Sequence, residues 1–167
     1  MTQVTPNYTL HWAAPTTDSV TFAIEASNGG GWVAVGFPKI AGKMDSDAVI
    51  FAGPLLKGSA YKLVNGKALA DTNQAISETS SSVAGGQTVV KFSRKLYNGG
   101  EYILNAKGKN NLIWAYGPAA TTALGYHSKS RGGFVVDLSL TPPIRTKKKK
   151  IHFRSLIIAV IKFMHLL

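Results

Sequence analysis

Cysteine is absent from the 167 residues, which removes disulfides, thiolate zinc sites, iron–sulfur clusters and thioether-linked haem together. Any bound metal has to be held by His, Met, carboxylates or a cofactor. Acidic residues are scarce, 8 against 19 Lys and Arg, for a formal net charge of +11. The excess is uneven: residues 145–167 carry 7 basic residues and no acidic one, leaving 12 basic against 8 acidic elsewhere. A mildly basic body with scattered lysines reads as a solvated surface, so nucleic acid is not an expected partner. Long apolar runs are missing too. Residues 155–167 are apolar but broken by Lys162, and as a helix they would cover about 20 Å, short of the roughly 30 Å hydrocarbon core. The opening "MTQVTPNYTLHWAAP" has neither a charged leader nor an apolar core, so no signal peptide is read there. The expectation is an intracellular protein, or an incomplete chain that has lost its targeting segment.

What is present is strand. Hydrophobic residues make up 45% and charged residues 16%, enough for a packed core in one domain, residues 1–140, followed by a tail, residues 141–167. Tyr8, Leu10 and Trp12 alternate on one face, and Val20, Phe22, Ile24 and Ala26 on another, with a turn at 15–18 between them. "GGGWVAVGF" alternates small and large residues after three glycines, and "DAVIFAG" is a continuous apolar run suited to a strand covered on both sides. A short strand at 61–64 precedes an Asn65-Gly66 hairpin turn, and the serine-rich stretch 71–86 reads as a polar loop. "TVVKFSRKL", "EYILNA", "NLIWAYG" and "GFVVDLSL" are further strands, connected at 98–100, 107–110 and 118–132. About nine short strands with a turn signal every 8–12 residues predict an all-β, antiparallel, immunoglobulin-like β-sandwich.

Two residues stand out as donors. Met44 sits in a glycine-flanked, acidic turn in "GKMDSDAVIF", and His127 in the long loop "GYHSKSRGG" before the last strand. Alone, such a methionine is usually core filler and such a histidine is usually solvated. In a sandwich, though, loops at one end of the sheets converge on a pocket, and a thioether is a known partner of haem iron. Asp45 and Asp47 suggest calcium only weakly, since paired acids in one turn are more often turn formers. His11, His152 and His165 are not read as ligands, and Arg94 and Trp114 read as structural rather than catalytic. The sequon Asn7-Tyr8-Thr9 is weak evidence for secretion.

"GGWVAVGF", "GKMDSDAVIF", "VKFSRKL", "LIWAYG", "YHSKSRGG" and "VVDLSL", in this order and at these separations over about residues 7–140, resemble the DOMON domain. More narrowly they are similar to its haem-binding cytochrome b branch, found in the cytochrome domain of cellobiose dehydrogenase and in proteins joining DOMON to an ascorbate-reducible transmembrane cytochrome b. The resemblance implies a non-covalent haem b at one end of the sandwich. It carries the axial ligands over to Met44 and His127. Trp32, Phe37, Trp114 and Tyr116 are expected around the porphyrin, with Lys129 and Arg131 beside its propionates. Two protein ligands leave no open iron position, so the implied activity is single-electron relay rather than independent enzymology. The partners would be a small-molecule or protein electron donor and acceptor, including a transmembrane cytochrome b, and the setting extracellular or at the cell surface. The 145–167 tail, if genuine, suits contact with an anionic membrane surface. A haem-free carbohydrate-binding or adhesion module is the alternative, with the tryptophans as a sugar-stacking platform.

Overall fold

The computed structural model describes residues 1–97, 102–119, 123–127 and 129–140. The expected turn at 98–100 and the tail, with His152 and His165, lie outside them. Eleven strands form the described fold: β1 Thr2–Thr5, β2 Tyr8–Trp12, β3 Ser19–Ala26, β4 Val33–Pro38, β5 Ser46–Ala52, β6 Lys57–Val64, β7 Lys67–Ala70, β8 Ile76–Ala84, β9 Gln87–Lys95, β10 Lys109–Tyr116 and β11 Arg131–Asp137. They build a five-stranded sheet ordered β1-β2-β3-β9-β8 and a six-stranded sheet ordered β11-β10-β4-β5-β6-β7. Every pairing between them is antiparallel. The all-β antiparallel sandwich expected from alternation is the fold observed.

The main core lies between the sheets. From the five-stranded side come Tyr8, Leu10, Val20, Phe22, Ile24, Val90 and Phe92, and from the six-stranded side Val33, Val35, Phe37, Val49, Phe51 and Leu112. Phe22 pairs with Phe92 across β3 and β9, their rings 5.5 Å apart. Strands β4 and β5 are buried along nearly their whole length, because their alternate residues face a second apolar layer. That layer, on the outer face of the six-stranded sheet, consists of Trp32, Ala34, Ala48, Ile50 and Leu63. A strand with apolar cover on both faces is what "DAVIFAG" predicted.

Three elements depart from expectation. Within the stretch read as a polar loop, Ile76–Ala84 is an edge strand paired to β9. Almost all of it is exposed, so no apolar alternation marks it; the ladder to β9 holds it, with side-chain bonds from Ser93 to Glu78 and from Ser81 to the Leu55 carbonyl. Conversely, 102–105 in "EYILNA" forms no strand. Leu104 N–H donates to Leu96 at 2.9 Å, while the Tyr102 carbonyl is taken by the Arg94 side chain. The short strands β1 and β7 add to the expected count. Trp32 precedes β4 rather than opening it.

Candidate functional site: a cavity on the outer sheet face

Strand register lays small residues side by side on the outer face of the six-stranded sheet. Ala115 pairs with Ala34 and Ile113 with Gly36, and Gly36 in turn with Ala48. On the other flank Ile113 pairs with Gly133 and Ala115 with Arg131. These short side chains leave a cavity of about 990 Å³, at the upper end of the range for small-molecule and cofactor sites. Leu63, Ala68 and Leu69 of the β6–β7 hairpin wall one side. Gly36 fits this packing closely: a Cβ there would meet Ile113 Cγ1 at 2.6 Å and Ser46 Oγ at 3.0 Å, so that Ile113 would have to shift.

Met44 and His127 both line this cavity. They reach it from opposite directions. The turn with Met44 follows Pro38, the last residue of β4, whereas the loop with His127 follows Tyr116, which pairs with Val33 at the start of β4. The expected convergence of loops at one end of the sandwich is therefore not the arrangement found. Each loop folds over the outer face from its own end of a strand roughly 17 Å long, the first bringing Gly42 Cα to within 3.5 Å of where a Gly133 Cβ would lie. The His127 ring lies 6.3 Å from Trp32 and 5.2 Å from Tyr126, centroid to centroid. Met44 is 39% exposed, too open for core filler.

Of the other residues expected around a ligand, Trp32, Trp114 and Arg131 line the cavity. Phe37 does not: its ring faces the inter-sheet core, 5.7 Å from Phe22 and beneath the Arg94 guanidinium. Tyr116 also packs on the core side, 5.7 Å from Trp114 and 6.4 Å from Tyr8. Lys129 is exposed between His127 and Arg131 and is not part of the lining. Trp32 and Trp114, 2% and 8% exposed, present no open platform for sugar stacking. Sequence reasoning missed the floor residues Ala34, Gly36, Ala48 and Ala115. For Ala34 and Gly36 the signal was the small-residue parity in "WVAVGF".

Among the described residues no acidic side chain lines the cavity, while Lys67 and Arg131 do, so their charges favour an anionic ligand. Arg131 also lies over the Tyr126 ring at 5.9 Å. Asp45 and Asp47 point elsewhere. Asp47 pairs with the buried Arg94 at 3.0 Å, and Asp45 accepts from the Tyr102 hydroxyl at 2.7 Å. Burial pushes the Arg94 guanidinium down from its usual value, against the opposing effects of the Asp47 charge and hydrogen bond. Beneath the floor, the Tyr8 hydroxyl donates to the Ala34 carbonyl at 3.0 Å, and burial pushes its pKa up.

The DOMON domain family model matches residues 4–117, a span that holds β2 to β10 and the Met44 turn. The chain belongs to the DOMON family. Two solved structures share its fold. The cytochrome domain of Myriococcum thermophilum cellobiose dehydrogenase superposes with a TM-score of 0.62 at 19% identity, over 86% of this chain and 83% of that one. The cytochrome b domain of pyranose dehydrogenase from Coprinopsis cinerea gives 0.60 at 11% identity, over 79% and 76%. No curated protein matches significantly. At these identities the likeness is one of fold. Among the described residues of this DOMON domain, no helix is long and apolar enough to cross a membrane.

Proposed function

We propose that the cavity binds one non-covalent haem b with Met44 and His127 as axial ligands, and that the domain relays single electrons outside the cell or at its surface. The observation that carries this is a thioether and an imidazole lining one cavity from turns at opposite ends of β4, two donors that would hold an iron porphyrin from separate segments. The remaining lining suits the same group: a floor of small side chains leaves room for a plate, Ile50, Leu63 and Ile113 exclude water, and Lys67 and Arg131 offer cations to its carboxylates. Bound there, the cofactor supplies a one-electron iron couple.

The chain's own residues tune and protect that couple. Met44, a soft sulfur donor, favours the reduced metal and so sets a higher potential than a second histidine would. His127, packed near Trp32 and Tyr126, is restricted in how its ring can turn. Were Met44 and His127 both to hold the iron, it would exchange electrons rather than take up a substrate, which favours relay over catalysis. The donor and acceptor would be a small reductant such as ascorbate, a protein, or a transmembrane cytochrome b. Two neighbours of the same fold are cytochrome domains, which supports the proposal without deciding it.

Titration of the purified protein with haemin tests it. One equivalent should be taken up with a sharp Soret band and a six-coordinate, low-spin spectrum. Met44→Ala and His127→Ala should each alter that spectrum or lose haem. Failure of the wild type to take up haem, or wild-type spectra from both variants, would overturn the proposal.

A further inference from the structure

The turn that carries Met44 has few holds of its own. Within it, Lys43 N–H donates to the Ile40 carbonyl at 3.2 Å, and Gly42 takes a left-handed φ of 71°. A neighbouring residue, Tyr102, restrains it at both ends. The Tyr102 hydroxyl donates to Asp45 Oδ1 at 2.7 Å, immediately after Met44. The Lys39 ammonium lies 5.7 Å from the centre of the Tyr102 ring, at the start of the same turn. One side chain thus holds both limbs.

Tyr102 is in turn anchored from the opposite sheet. Arg94 Nη2 donates to the Tyr102 carbonyl at 2.8 Å and to Asp47 Oδ2 at 3.0 Å, while Nη1 donates to the Lys95 carbonyl at 3.0 Å. Its guanidinium also covers the Phe37 ring, 4.5 Å from the centroid. Phe37 and Asp47 pair across β4 and β5 just below the turn. Asp45, Tyr102, Arg94 and Asp47 therefore close a ring of polar contacts around the C-terminal limb of the turn, fixed to β9.

We infer that Tyr102 is a positioning residue for Met44, holding the 39–45 turn so that the thioether is presented at a fixed place in the cavity. The consequence for the metal rests on the haem reading above, but the ordering of the turn does not. Tyr102→Phe keeps the ring under Lys39 and removes only the hydroxyl, and Asp45→Asn weakens the same bond from the other side. In the haem-free protein, amide exchange over 39–46 should accelerate about three- to tenfold in both variants, with β3 and β9 unchanged. Tyr97→Phe, at a tyrosine 60% exposed, should change nothing. In the haem-loaded, reduced protein, Tyr102→Phe should admit carbon monoxide at least severalfold faster than wild type, because Met44 leaves more often. Unchanged exchange over 39–46 would overturn the inference, as would faster exchange with wild-type carbon monoxide kinetics. A wild type that takes up no haem would sink the cofactor reading instead, and the exchange measurement would still decide whether Tyr102 orders the turn.

Discussion

Removing the Asp47 carboxylate should be among the most damaging single changes outside the apolar core. Its pair with Arg94 spans the two sheets at 3.0 Å, with side chains 7% and 2% exposed. Asp47→Ala leaves the guanidinium donating to the Tyr102 and Lys95 carbonyls and lying on Phe37, with no counter-charge from Asp47. Breaking a buried pair from one side costs about 3–5 kcal/mol, whereas an exposed pair contributes about 0–1 kcal/mol. In a domain of this size that corresponds to a Tm lowered by roughly 10–20 °C. Replacing both partners, Asp47→Leu with Arg94→Met, removes the stranded charge and should recover part of the loss. Recovery stays incomplete because the Tyr102 carbonyl loses its donor, about 1–3 kcal/mol if it remains dry. Urea unfolding followed by tryptophan fluorescence measures each quantity, with wild type, Asp47→Leu, Arg94→Met and the double variant arranged as a double-mutant cycle and Asp47→Ala measured beside them. A loss below about 1 kcal/mol for Asp47→Ala would refute the reasoning, since the pair would then behave as a surface contact.

Ala34→Leu fills the cavity floor from the middle of β4 and should lower haem affinity tenfold or more while the protein stays folded, read by haemin titration beside a thermal melt; unchanged affinity would move the ligand elsewhere. Tyr8 is protonated in the fold with its pKa raised by burial above the ordinary 10.0, so its contribution is complete below pH 10 and falls as pH rises further, by up to about 1.4 kcal/mol per pH unit. Tyr8→Phe should flatten that alkaline loss in urea melts at pH 9 to 11, and an identical slope would exclude Tyr8 as its source. Residues 145–167 should draw the protein to anionic vesicles at about 1 kcal/mol per basic residue near the surface, weakened by salt; equal cosedimentation of a 1–144 chain would assign the affinity to the sandwich.

Much of this architecture was legible because burial leaves a period. Strands β2, β3 and β9 showed it through alternate buried residues, and β5 through an unbroken apolar run. Strand β8 left none: Ser77 to Ser82 face solvent on an edge, and only pairing to β9 makes them a strand. "EYILNA" misled for the opposite reason, since Arg94 uses the Tyr102 carbonyl that a ladder would have needed. In the site, Met44 and His127 came from the ordered resemblance rather than from local spacing. Parity could have corrected the expected lining. Trp32, Ala34 and Gly36 share one side of "WVAVGF", so Phe37 had to face the other. Ala115 likewise had to face away from Tyr116. Alternation says which residues share a face, but which face meets the cavity depends on sheet order, and that is a long-range property. The opposed approach of the two loops follows from the adjacency of β4 and β10, which no local pattern encodes.

The most direct measurement of the central claim is carbon monoxide binding to the haem-loaded protein after reduction by ascorbate. If Met44 and His127 occupy both axial positions, the wild type should bind carbon monoxide poorly, and Met44→Gly, which removes the thioether, should bind it rapidly and stoichiometrically. Rapid stoichiometric binding by the wild type, at the rate of the Met44→Gly variant, would show that Met44 does not hold the metal and would contradict the electron-relay account.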